Sequence, residues 1–204
     1  MAVTKGRVPP FIVTLGAMNI IRSVTQHFMQ AYTPRVPLAF TKLANQVILG
    51  QRFLPIVYWF VLALVLAVVA RHTAFGRHVY AVGSNEKTTR LSGINVDWVK
   101  FKVYALMGFI VSVAATLQVA RIGSMDTASA GSGYELEAIA AVIVGGTSMS
   151  GGKGSVLGTV LGMLIIGVMN NLLNLLGVPS FLRNAFKGAI VVAAVLMQRK
   201  EREA

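Results

Sequence analysis

The sequence predicts an all-α, polytopic integral membrane protein of about six membrane segments, and three observations carry that prediction. First, the 204-residue chain is 55% hydrophobic and only 13% charged, with a mean hydropathy of +0.67. Soluble domains carry roughly 25% charged residues, and half that supply leaves too little polar surface to coat a globule. Second, its uncharged runs approach the ~20 apolar residues that cross a bilayer as a helix. Third, the net charge is +12. In a soluble protein that surplus suggests nucleic acid. In a hydrophobic chain it gathers in the loops that stay cytoplasmic and sets the topology. The expected surroundings are therefore a lipid bilayer, with no nucleic-acid partner. The lack of any Cys excludes disulfides, thiolate metal sites and a cysteine nucleophile. Three His and seven carboxylates are thin stock for a catalytic cluster.

The segments follow in order. Residues 8–29 begin with Pro9 and Pro10, which suit the first turn of a helix, and contain Arg22. Residues 53–70 and 103–120 are uncharged. Residues 138–146 are shorter and are led by Glu135 and Glu137. They fit either a half-helix ending at Gly145 and Gly146 or a short span with a glycine loop. Residues 155–182 are the longest uncharged run, read as a helix to about Leu176 and a turn at Gly177, Val178, Pro179 and Ser180. Residues 181–197 form the last segment, with Arg183 and Lys187 on one helical face, where both can snorkel to the interface.

The cations test this order. If the spans alternate, twelve of the 19 fall on one side: Lys5, Arg7, six in residues 71–102, Lys153, Arg199, Lys200 and Arg202. Arg35, Lys42, Arg52 and Arg121 fall on the other, and Arg22, Arg183 and Lys187 lie within spans. The positive-inside rule then puts both termini in the cytoplasm. Asp126, Glu135 and Glu137 fall in the external loop, where the two glutamates are expected to mark the water boundary. At i, i+2 they do not face each other on a helix, so they do not make the paired carboxyls of a glycosidase. His27, His72 and His78 have no metal-ligand spacing.

Residues 71–102 form the longest polar stretch, with six cations against Glu86 and Asp97. A short helix over residues 86–92 has its own punctuation. Ser84 or Asn85 can N-cap it, Glu86 sits at the positive end of its dipole and Arg90 toward the negative end. Gly93 suits the left-handed C′ position and Ile94 can close it with an apolar contact. Asn95 or Asp97 can cap the helix that follows, whose Trp98 and Tyr104 suit a membrane–water interface. So short a helix is unstable without a partner, which leaves two readings, a plain surface loop or a docking element.

Two glycine patterns remain. GGTSMSGGKGS at residues 145–155 fails the phosphate-loop pattern, because Gly154 follows Lys153 and Thr147 stands where the first Gly is needed. It reads as a tight turn between membrane segments. Gly158 and Gly162 form a GxxxG pair suited to close helix packing within the chain. Asn170, Asn171 and Asn174 lie near the outer end of the same helix, either lining a pathway or bonding to neighbouring helices.

The run GRHVYAVGSNEKTTRLSGINV at residues 76–96 closely resembles the cytoplasmic coupling segment of bacterial sugar ABC-transporter permeases of the ribose, xylose and galactoside type. KGRVPPFIVTLGAMNI at residues 5–20 and ELEAIAAVIVGGTSMSGGKGSVLGTVLGMLIIGVMNNLLNLLGV at residues 135–178 resemble an upstream helix and the C-terminal signature of that family. The resemblance implies a permease of the inner membrane, working by alternating access with a second permease copy. Its implied partners are an ABC ATPase subunit and a periplasmic sugar-binding protein. The chain itself would be no enzyme and hold no cofactor, with ATP bound on the partner subunit. Asn85, Glu86, Lys87, Thr88, Thr89, Arg90, Leu91, Ser92 and Gly93 would contact the ATPase, within a cytoplasmic coupling loop at residues 71–102. Family permeases have several more spans before the matched part, so residues 1–204 read as the C-terminal portion of a permease domain: a fragment, a misplaced start or half of a split gene. Two other classes stand beside this one. An ion-coupled transporter or channel predicts ionisable residues buried mid-span, which the uncharged spans lack. A permease remnant would act only as a membrane scaffold.

Overall fold

The computed structural model describes residues 6, 8–29, 35–46, 53–125, 130–179, 182, 185–186, 188–190 and 192. Among these residues the fold is all helical, with eight helices in chain order: α1 (Pro10–Met29), α2 (Leu38–Asn45), α3 (Leu54–His72), α4 (Ala74–Ser84), α5 (Glu86–Leu91), α6 (Val96–Ile122), α7 (Tyr134–Val144) and α8 (Val156–Leu175). The predicted segment at residues 181–197 lies mostly outside the described residues, as do Arg183, Lys187, Asp126, Arg52 and the terminal cations. The described chain divides into two compact units, Met1–Phe60 with Asp97–Gly131, and Val61–Val96 with Ser132–Ala204.

Three helices, α3, α6 and α8, are long and apolar enough to cross a bilayer, and almost none of their apolar stretch is buried within the chain. At 1.5 Å per residue, the 27 residues of α6 reach about 40 Å, the full thickness of a bilayer with its headgroups. The first turns of α6 hold its anchors. Trp98 and Phe101 stack with ring centroids 5.1 Å apart, and Lys102 Nζ lies 5.5 Å over the Trp98 ring. Aromatic and basic groups of this kind belong at the membrane–water interface. Further along, the Ser112 hydroxyl donates to the Phe109 carbonyl and the Thr116 hydroxyl to that of Ser112, so neither donor is left unmade in an apolar setting.

In the first unit, the chain before α2 runs beside the end of α6. The Val36 amide donates to the Gly123 carbonyl at 3.0 Å, and Arg35 and Ser124 form an isolated β-bridge. The last residue of α2, Asn45, donates from Nδ2 to the carbonyls of Ala120 and Arg121 at 2.8 and 3.2 Å. These are among the end carbonyls that a helix cannot satisfy itself. Arg22, the cation inside α1, donates to the Ala130 carbonyl at 3.3 Å beside a largely apolar cavity of about 570 Å³, lined by Met18, Thr25 and Val119 among others.

In the second unit, the expected polar loop at residues 71–102 is mostly helical. The α3–α4 corner is set by Thr73, whose hydroxyl donates to the Val69 carbonyl at 2.6 Å and accepts the Gly76 amide at 3.2 Å. A Cβ at Gly76 would run into the Ala70 backbone, so this corner needs glycine. Of these helices α5 is the expected one; α4 lies in the stretch expected as loop, although Thr73 is an ordinary N-cap residue.

Helix α7 packs antiparallel on α8. Gly145 at the end of α7 faces Gly158 at the start of α8, and Ala141 faces Gly162 one turn further along. Ala140, Ala141 and Ile166 form the buried core of this pair, with Val144 and Met169 against it. Eleven residues give α7 only about 16 Å of length, half of an ~30 Å hydrocarbon core. The helix is therefore about half as long as a span, and it begins at Tyr134 rather than near residue 138. Counting back from Ala141 puts Glu137 and Glu135 level with residues 166–170, near the middle of α8.

Candidate functional site

Helix α5 is built by its own caps. Asn85 has extended backbone (φ −154°, ψ 104°), and its Oδ1 accepts the Thr88 amide at 3.0 Å. Of the two cap candidates Asn85 takes the role, while Ser84 closes α4. Glu86 and Arg90 pair at 3.6 Å at i, i+4, both about half exposed. Such pairs contribute about 0.3–0.5 kcal/mol, so the pair adds only a little to the stability that the caps supply. At the other end Gly93 has φ +81°; its amide donates to the Arg90 carbonyl at 3.1 Å and that of Ile94 to the Thr89 carbonyl at 3.4 Å. This crossed pair is the Schellman closure that the Gly93–Ile94 sequence predicts.

The nine residues from Asn85 to Gly93 do not present one face. Asn85, Glu86, Lys87, Thr88, Arg90, Leu91, Ser92 and Gly93 are exposed, but Thr89 is 5% exposed. Its hydroxyl donates to the Asn85 carbonyl at 2.8 Å. Thr89 therefore seats α5, and the outward surface is carried by Leu91, which is 89% exposed, among flanking charged and polar groups.

A second set of residues joins this element, and the sequence reading missed it. The end of α4 meets the turn between α7 and α8 backbone to backbone. A Cβ at Gly83 would lie 2.8 Å from the Gly152 nitrogen, one at Gly151 would run into the Gly83 carbonyl, and one at Gly152 would lie 2.9 Å from Ser84 Cα. Gly151 and Gly152 also have φ of +86° and +76°, a region that L side chains rarely adopt. Tyr80 Oη donates to the Gly154 carbonyl at 2.9 Å. The turn is closed by its own bonds, from the Ser148 amide to the Lys153 carbonyl at 2.9 Å and from the Gly151 amide to the Ser148 carbonyl at 3.0 Å.

The remaining candidates lie on α8. Ser155 caps it, accepting the Gly158 amide at 3.1 Å. Gly158 and Gly162 meet the backbone of α7, with no room for a Cβ at either. Asn171 and Asn174 are exposed, whereas the Asn170 Oδ1 is buried and has no hydrogen-bond partner among the described residues. A buried unpaired acceptor costs about 1–3 kcal/mol, so Asn170 is the asparagine whose side chain calls for an outside donor.

Comparison with known proteins adds a family to this geometry. The family model described as "Branched-chain amino acid transport system / permease component" matches residues 1–195. The ribose import permease protein RbsC of Escherichia coli is 43% identical over 98% of this chain and 63% of its own length. RbsC of Bacillus subtilis is 40% identical over the same shares. The xylose transport system permease protein XylH of Haemophilus influenzae is 44% identical over 69% of this chain and 37% of its own length. The chain thus spans about 63% of the length of the curated ribose permeases it matches. No solved structure matches it.

Proposed function

The chain belongs to the branched-chain amino acid transport system / permease component family, and from that premise we propose that it serves as a permease component of an ATP-driven importer of monosaccharides. The observation that carries the reading is the likeness to ribose import permeases across 98% of the chain. Relatives named for ribose and xylose favour a pentose over an amino acid. The protein is a membrane protein with apolar, membrane-length helices. Its place is the bacterial inner membrane, with both termini and α4–α5 in the cytoplasm, because the cation surplus gathers there.

Energy comes from a separate ATPase subunit. Closure of two ATPases on ATP displaces α5 through Leu91 and the polar groups around it. Two permease copies then alternate between outward and inward openings, and a periplasmic binding protein delivers the sugar. Asn170, with Asn171 and Asn174 nearby, offers amides to sugar hydroxyls along the path. In this reading the short helix α7 and the glycine turn after it lie against the pathway, since non-helical backbone at membrane depth is stable only where protein or a water-filled cavity covers it.

The test is reconstitution of the protein in liposomes with its ATPase and binding protein. Ribose uptake should need ATP and fall at least tenfold with a hydrolysis-deficient ATPase. Uptake that persists with that ATPase, driven by an ion gradient, would sink the reading.

A further inference from the structure

We propose that the backbone contact of Gly83 and Ser84 with Gly151 and Gly152 is the joint that carries movement of α5 into α7 and α8. This makes the three glycines and Tyr80 positioning residues for transport, and it rests on the reading that α5 docks an ATPase. Three features support the joint. Asn85 is at once the last cap of α4 and the first cap of α5, so no slack separates α5 from Gly83. Three of its four residues have no side chain: Gly83 lies against Gly151 and Gly152 with no room for a Cβ on any of them, and Ser84 adds only its Cα, Cβ and amide beside Gly152. A side chain can change rotamer and absorb a displacement, whereas two touching backbones must move together. The far side is equally stiff, because the turn is closed by its own hydrogen bonds and tied to α4 by the Tyr80–Gly154 bond. Where the turn ends, Gly145 meets Gly158 and Ala141 meets Gly162, again backbone against backbone. Glycine contacts thus link the end of α4, and through the shared cap Asn85 the start of α5, to α7, α8 and the core around Ile166. Packed elements and hydrogen bonds of this kind are what carry coupling between distant sites.

Two measurements decide it. The first is the number of sugar molecules moved per ATP hydrolysed in the reconstituted transporter. Gly83→Ala should lower that ratio at least tenfold while the ATPase stays bound, because α5 itself is untouched. Tyr80→Phe keeps the ring and loses one donor, and should lower the ratio about threefold; it decides the matter if Gly83→Ala fails to fold. An unchanged ratio in the variants that fold, or release of the ATPase by Tyr80→Phe, would overturn the joint. The second measurement does not depend on transport. The chain has no Cys, so spin labels at Arg77→Cys and at the exposed Met149→Cys report the distance across the contact. One narrow distance, the same with and without ATP, supports the joint, and a broad or nucleotide-dependent distance overturns it. A native transporter that takes up no sugar with an active ATPase would overturn the transport reading instead, and the label distance would still decide the joint.

Discussion

At the scale of single residues, glycine has two opposite roles in α8. Gly162 is pressed against the Ala141 carbonyl, and Gly167 has nothing within 4 Å of where a Cβ would stand. Glycine inside a helix costs roughly 0.5–1 kcal/mol relative to alanine. Gly167→Ala should therefore raise the thermal midpoint in detergent slightly, and Gly162→Ala should lower it by forcing α7 away. Equal midpoints for the two variants would refute the close approach. Asn85 makes a second point. Its side chain holds the Thr88 amide, and losing such a cap costs about 1 kcal/mol. In Asn85→Ala, hydrogen exchange at Thr88 should quicken about fivefold, with α8 amides unchanged.

At the scale of elements, α5 and α7 each have a face that only packing defines. In α5 the buried Thr89 and the exposed Leu91 are two residues apart. Leu91→Asp should weaken ATPase association at least tenfold in a pull-down without changing the yield of membrane-inserted protein. Thr89→Lys should lower the yield itself, because it places a charge where the helix is seated. Helix α7 has only 11 residues and packs antiparallel on α8, so its first turn sits level with the middle of α8. With α8 spanning the bilayer as proposed, carboxylates at that level need water. Glu135→Cys should react readily with a water-soluble thiol reagent, and Val168→Cys, exposed at the same level of α8, should not. Equal reactivity would place the first turn of α7 outside the membrane.

At the scale of the whole molecule, the apolar surface of α3, α6 and α8 is almost wholly uncovered by the chain itself. Soluble proteins rarely leave such areas open, and lipid or neighbouring membrane subunits are the cover that fits. The charge surplus supports the proposed direction. In intact cells, Lys42→Cys should react with a membrane-impermeant thiol reagent, and Lys87→Cys only after the membrane is opened. The reverse pattern would invert the topology and remove α5 from the reach of a cytoplasmic ATPase.

What the sequence determined by itself was whatever rests on near neighbours along the chain. Apolar runs marked α3, α6 and α8, and the Asn85, Gly93 and Ile94 spacing marked both ends of α5, because spans and caps are made within a turn or two. Helix α4 was equally local, but Thr73 lay inside a stretch read as loop. Tertiary structure alone decided the rest. It decided that Thr89 faces inward, that Glu135 and Glu137 lie level with the middle of α8, and that Gly83 meets Gly151 and Gly152. The reason is physical. A glycine needed for a turn and a glycine needed for contact with a segment some seventy residues away look the same in sequence, since both are defined by a missing Cβ. Only the packed chain shows what occupies the space that the Cβ would have filled.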